Sequence, residues 1–443
     1  MRHPTRHLAH ALGGVAAAIL VAIASGATVA QDASVTPQRS GAPMASATTP
    51  PAGVEVLGAG DRGVAPVVSA EDLASVVAGD TAFAIDLYRW VADDAGNVVL
   101  GPLSISVAMA MQHAGARGDT AAQVERAMHF ELPMERLDAA FDALGRSLAA
   151  TNGSGVTSTL VNQLFGQASY PFEPAFLDDL GRHYDAPLAA VDFGADPEAA
   201  RAAINRWIAD QTAGRITDLV PPGAIHELTR LVLVNATYLD AAWAHPFNAA
   251  LTEERAFRLA SGRRVRVPTM YRLGDELVAR GNGYRAIELA YDGDRLAMLI
   301  VVPDDLARFA RDLTPRRLDR IVSRLEQEFV ELTMPTFSVA SGVDLVAPLR
   351  ALGITDAFDP DLADLSGISA EPGLHLDAAV HQAFITVGEA GTQAGAATAL
   401  GDSGAEMNTT LRVNRPFLWL IRDRETGSVL YLGRVVDPRV TGS

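Results

Sequence analysis

Apolar side chains return every three or four residues over 72–91, 104–115, 121–128, 137–148 and 199–211, the spacing that gives a helix one apolar face. Further along, the period drops to two. Val330, Leu332 and Met334, then Phe337 and Val339, alternate with their neighbours as a half-buried strand does. Strand-like segments follow over 374–387, 411–421 and 429–436. Helices therefore crowd the first half and strands the second, which predicts an α+β fold. A chain of 443 residues could hold two or three domains by length alone. No linker interrupts the pattern after residue 70 and no repeat is evident, so a single domain over 67–443 is expected.

The first residues follow a different rule. Arg2 and Arg6 precede an apolar run over 12–24, and Ala27-Thr28-Val29-Ala30 offers small residues for cleavage. This reads as a signal peptide over 1–30 rather than a membrane anchor, which needs about 20 apolar residues. The expected location is secreted or periplasmic, with no membrane partner. Residues 31–66 are rich in Ala, Ser, Thr, Pro and Gly and are expected to form a disordered tether.

Composition narrows the chemistry. Cysteine is absent, which removes disulfides, thiolate metal sites and a cysteine nucleophile together. The net charge is −17, and loss of Arg2 and Arg6 with the signal would make it −19. That excess opposes nucleic-acid binding. All 36 basic residues are arginine. A group at Arg308, Arg311, Arg316, Arg317, Arg320 and Arg324 is interleaved with Asp312, Asp319 and Glu326, as on a solvated helix face.

One tetrapeptide, Gly401-Asp402-Ser403-Gly404, copies the nucleophile sequence of trypsin-like proteases. A serine nucleophile needs a positioned histidine and an aspartate to orient it. The Ala-Ala-His-Cys context of that histidine does not occur in the chain, so no catalytic residue is assigned and the protein is not expected to be an enzyme. Walker, His-Glu-x-x-His and EF-hand patterns are absent, and the seven histidines after residue 30 suggest no metal site.

The most informative stretch runs from Gly388 to Ala399, with Glu389, Gly391 and Thr392 ahead of the small residues Ala394, Gly395, Ala396 and Ala397. Alone it reads as a flexible linker. Its flanks are more specific. Ile204-Asn205-Arg206-Trp207-Ile208, Leu233-Val234-Asn235-Ala236-Thr237-Tyr238-Leu239 with Trp243, Met334-Pro335-Thr336-Phe337, Asp364-Leu365-Ser366-Gly367-Ile368, Asn414-Arg415-Pro416-Phe417 and Gly433-Arg434-Val435-Val436-Asp437-Pro438 follow in one order. Together these segments resemble the serpin family, with the character of an exported, prokaryotic-type member, over nearly all of the chain from about residue 68.

The resemblance implies three β-sheets with about nine helices and an exposed mobile reactive-centre loop over about 389–411. It also implies suicide inhibition of a serine endopeptidase, in which the cleaved loop enters the central sheet as a new strand and carries the acyl-enzyme with it. About a dozen inserted residues, at about 0.5–1.5 kcal/mol per backbone hydrogen bond, would release on the order of 10–20 kcal/mol. The uncleaved form is then held kinetically.

Loop length places the reactive bond between Ala405 and Glu406, with Leu400, Glu406 and Met407 left as alternatives for the residue before it. Small Ala405 suits an elastase-like or subtilisin-like protease. Glu389, Gly391, Thr392 and Ala394–Ala397 take the hinge positions, and Ser104, Ser106, Asn235, Trp243 and His381 the positions where the family's sheet opens. Two departures stand out: Gly388, where Asn or Asp is usual, and Asp402, which would face inward on insertion. The family's basic glycosaminoglycan helix would lie near 135–150, where only Arg136 and Arg146 stand among Glu135, Asp138 and Asp142. No heparin-type cofactor, and no other cofactor, is expected, and the protein should act as a monomer. The rival is a non-inhibitory serpin, a carrier or chaperone, but such members carry Pro, charged or bulky hinge residues and none lies between Gly391 and Thr398.

Overall fold

A computed structural model of the chain describes residues 52–58, 62–92, 96–153, 155–392 and 409–440. The expected helices form with their ends extended by local signals. Ala70–Val91 is capped by the Ser69 hydroxyl, which accepts from the Asp72 amide at 3.1 Å, and Glu71 and Asp72 complement its positive end. Pro102–Ala114 starts on Pro102, whose fixed φ suits a first helical turn. Gly118–Met128 stops at His129, which turns left-handed at φ 55°. Met134–Ala149 and Pro197–Gln211 complete the set, and Pro174–Tyr184 and three helices of six to eight residues add to it. Nine α-helices occur among the described residues.

The strands form a seven-stranded sheet and a larger network. The first runs in the order Glu55–Leu57, Leu188–Val191, Val156–Gln167, Leu231–Ala242, Gly391–Thr392, Ala378–Val387, Phe337–Asp344. In the second, the 18-residue strand Arg264–Gly281 pairs along its length with Glu253–Arg258, Glu326–Pro335 and Tyr284–Ala290. That continuous strand joins into one hydrogen-bonded network what a three-sheet description separates. Two expected strands are subdivided by proline: Glu326–Pro335 ends before Phe337–Asp344 begins, and 411–421 becomes Thr409–Arg412 and Phe417–Asp423 around Pro416.

The signal segment and residues 31–51 lie outside the described residues. The tether expected to reach residue 66 is ordered before its end. Glu55–Leu57 adds an antiparallel edge strand to Leu188–Val191, and Arg62 bonds to Asp142 at 2.7–2.9 Å. Val54, Val56 and Leu57 around Glu55 provide the strand that composition alone concealed.

Behind the central sheet, helices Ala70–Val91 and Pro102–Ala114 pack against each other and against strand Val429–Val435. Their meeting places the start of the second helix directly under the sheet. Gly101 sits there because a side chain would collide with Thr237.

Candidate functional site

The two middle strands of the central sheet, Leu231–Ala242 and Ala378–Val387, run parallel and pair from Ala378 opposite Val232 to Phe384 opposite Tyr238. Beyond that point they part. Gly391 and Thr392 fill the gap, Thr392 pairing antiparallel with Ala241 on one side and Val387 on the other. The chain following the strand thus turns back and begins a new strand between its neighbours.

At the closed end, His381 lies opposite Asn235, and both are fully buried. The Gly101 amide donates to His381 Nε2 at 3.1 Å, which leaves Nδ1 to carry the proton and donate to the Asn235 side-chain oxygen. The Asn235 amide nitrogen donates to the Ser104 hydroxyl at 2.7 Å, and Asn162, opposite Asn235 on the next strand, packs against both. Burial lowers the His381 pKa to about 3, so the ring is neutral. One hydrogen-bonded chain therefore ties the helix start to both central strands. It can hold them together or, by exchanging partners, let them separate.

At the open end, the contacts are aromatic and main-chain. Trp243 stacks on Tyr291 with ring centroids 4.6 Å apart, and the Tyr291 hydroxyl bonds the Thr392 hydroxyl at 2.7 Å. Burial raises the Tyr291 pKa, so its hydroxyl stays protonated. The Trp243 ring N–H donates to the Gly388 carbonyl at 2.9 Å and its amide to the Ala390 carbonyl at 2.9 Å. Glu389 accepts from the Phe247 amide at 2.8 Å and, through its carboxylate, from the Thr252 hydroxyl at 2.7 Å. Gly391 passes so close to the Ala241 carbonyl that a side chain would collide with it. Gly388 carries no such demand, since a side chain there would meet nothing within 4 Å.

Of the residues expected at the opening, Ser104, Asn235, Trp243 and His381 come together as described. Ser106 does not. Two helix positions apart means about 200° of rotation, so Ser106 faces away from the sheet and donates to Asp80 on the neighbouring helix at 2.8 Å. Asp80 is itself fully enclosed, and burial raises its pKa to about 7. Of the expected hinge residues, Glu389, Gly391 and Thr392 are seated in or against the sheet. Ala394, Gly395, Ala396 and Ala397, and the reactive pair Ala405 and Glu406, lie outside the described residues. Gly101 and Asn162 belong to the site although no motif singled them out, as does Tyr291, the last residue of the family-like segment Glu288-Leu289-Ala290-Tyr291.

The family model described as "Serpin (serine protease inhibitor)" matches residues 78–438. Leukocyte elastase inhibitor from Bos taurus is 36% identical over 380 residues, which cover 82% of this chain and 99% of that protein. Antithrombin-III from Mus musculus is 34% identical over 374 residues, 81% of this chain and 80% of that protein. Among solved structures, the thermophilic serpin tengpin in its native state superposes with a TM-score of 0.77 at 25% identity, covering 85% of this chain and 97% of its own. Uncleaved ovalbumin gives 0.76 at 27% identity, covering 82% and 100%. The curated relatives are vertebrate proteins, so the prokaryotic-type character expected from the sequence gains no support from them.

Proposed function

This chain belongs to the serpin family, and on that premise we propose that it is a suicide-type inhibitor of serine endopeptidases, exported from the cytoplasm and acting as a monomer. The observation that carries the reading is the pairing of Gly391 and Thr392 between two strands that are otherwise neighbours. Insertion has a starting point and a direction. After cleavage at Ala405–Glu406, two residues would fill the existing gap and each one after them would displace one pair of the seven that run from Phe384 and Tyr238 down to Ala378 and Val232.

Continuing the register one for one from Thr392 opposite Ala241 brings Thr398 level with Asn235. Thr398 lies six residues beyond Thr392 and therefore faces the same side. A threonine hydroxyl arriving there supplies a partner for the His381–Asn235 pair as the two separate. The same register brings the inward-facing Asp402 level with Leu231, the first residue of its strand, at the end of the cleft rather than in its middle.

The preferred targets are elastase-like or subtilisin-like proteases, because Ala405 fits a shallow specificity pocket. The test is incubation of the mature protein with an elastase and a subtilisin, followed by a denaturing gel and intact mass. A covalent adduct with a released peptide beginning at Glu406 is expected. Cleavage of the loop by every protease tried, with no adduct, would overturn inhibition in favour of a carrier or chaperone.

A further inference from the structure

Below the His381–Asn235 pair, the strands Leu231–Ala242 and Ala378–Val387 are joined by more than their ladder. Asp377, one residue ahead of the Ala378–Val232 pair, donates its amide to the Leu231 carbonyl at 3.0 Å. Its carboxylate crosses to the same chain segment, where one oxygen accepts from the amides of Arg230 at 2.8 Å and Leu231 at 3.1 Å. His375 Nε2 lies 3.4 Å from the other oxygen, and the Asp377 side chain is only 2% exposed. Two main-chain N–H groups on one enclosed carboxylate make strong, charge-assisted bonds. Asp377 thus clasps the two strands together at the base of the cleft.

Register gives the clasp a second property. Thr392 pairs antiparallel with Val387 on one side and Ala241 on the other. Ten residues on from Thr392, and ten back from Val387 and from Ala241, Asp402 comes between Asp377 and Leu231. Residues directly opposite each other in an antiparallel pair point to the same face, so an inserted Asp402 would set two carboxylates side by side. Like charges directly opposite destabilise a strand pair, and enclosure makes an unbalanced charge costlier.

The neighbouring cations do not relieve the opposition. His375 can balance one carboxylate, not two. The Arg230 guanidinium is turned to its own loop, donating to the Glu227 carbonyl at 3.0 Å and the Thr229 carbonyl at 2.9 Å. One step earlier nothing of this kind arises, because Gly401 comes level with Ala378 and Val232, the last pair of the two strands.

We propose that Asp377 is the depth stop of loop insertion: the cleaved loop enters as a strand from Thr392 to Gly401 and halts with Asp402 short of the clasp. This rests on the insertion reading above and assigns its end point to one pair of like charges. Residues 402–405 then remain outside the sheet and link the new strand to the acyl-enzyme.

The test reads insertion depth directly. The mature chain is cleaved by an elastase, and residue-resolved amide exchange along 393–405 is followed by mass spectrometry in the wild type, Asp377→Asn, Asp402→Asn and the double variant. Asp377→Asn keeps a side-chain oxygen for the two amides, and Asp402→Asn changes no residue of the described fold. In the wild type, protection should end at Gly401, with Ser403 and Gly404 exchanging freely. Either single variant should slow exchange at Ser403 and Gly404 by about tenfold or more. The double variant should add little, because each change removes the same repulsion. Protection through Gly404 in the wild type, or protection ending at Gly401 in every variant, would overturn the depth stop and leave insertion standing. A cleaved loop that exchanges freely along its whole length would overturn insertion itself, and the stop with it.

Discussion

The two ends of the cleft between Leu231–Ala242 and Ala378–Val387 are built from the same pair of strands and held by opposite means. The closed end relies on directional bonds among His381, Asn235, Ser104 and the Gly101 amide, all out of water. The open end relies on a stacked aromatic pair and on main-chain groups that grip Gly388–Thr392. Aromatic and main-chain contacts accept any residue small enough to pass. A polar network accepts only a partner that replaces the bond it loses, because a buried polar group left unpaired costs about 1–3 kcal/mol. On the proposed insertion mechanism the two ends divide the labour: the open end would admit the loop, and the closed end would set how far the sheet opens before cleavage.

That contrast is broken most severely at the open end by Thr392→Arg. The hydroxyl of Thr392 is fully enclosed against Tyr291. A guanidinium there cannot enter the sheet without losing its hydration. Adduct formation should fall at least tenfold while the loop is still cleaved, as read by the ratio of adduct to cleaved inhibitor on a denaturing gel. Undiminished adduct would contradict insertion through this gap.

The closed end is probed by His381→Gln and by pH. Unfolded, the imidazole takes a proton below about 6.5; folded, it refuses one until about 3. Its contribution to stability is therefore present above pH 6.5 and is lost as pH falls toward 3. Asp80 has the opposite sign: folded it keeps its proton to about pH 7, whereas unfolded it loses it near 3.8, so raising the pH through that window destabilises the fold. His381→Gln should flatten the acid limb of the urea-unfolding profile by up to a few kcal/mol, and Asp80→Asn should raise stability near and above pH 7. An acid limb unchanged in His381→Gln would assign the pH dependence to other groups.

A smaller effect separates gripping from admitting. Trp243→Phe keeps an aromatic ring facing Tyr291 but removes the ring N–H that holds the Gly388 carbonyl. The loss of about 0.5–1.5 kcal/mol should loosen the hinge, with faster amide exchange at Gly391 and Thr392 and unchanged exchange around His381. Equal acceleration at both ends would mean that the two halves of the cleft open as one.

Much of this arrangement was legible from the residues. The periodic helices and the late strands stand in the sequence because burial on one face leaves a period, and the run of small side chains after Gly391 stands there as composition. The residues expected at the sheet opening came from resemblance; Ser104, Asn235, Trp243 and His381 lie along the cleft, whereas Ser106 shares a helix with Ser104 but turns away from the sheet to Asp80. Tyr291 ends a family-like segment, Glu288-Leu289-Ala290-Tyr291, but its role is not legible there, because its hydroxyl meets Thr392 across 101 residues of chain.

The sequence by itself determined the period of each element, the family resemblance and the small-residue hinge, all of which depend on neighbours within a turn or a strand. The tertiary structure decided that Gly391 and Thr392 lie inside the sheet, that His381 is neutral between a main-chain N–H and Asn235, and that Glu55–Leu57 joins the sheet edge. These depend on groups far apart in the chain sharing one water-free space, where the energy of a polar contact is set by what encloses it and not by what precedes it.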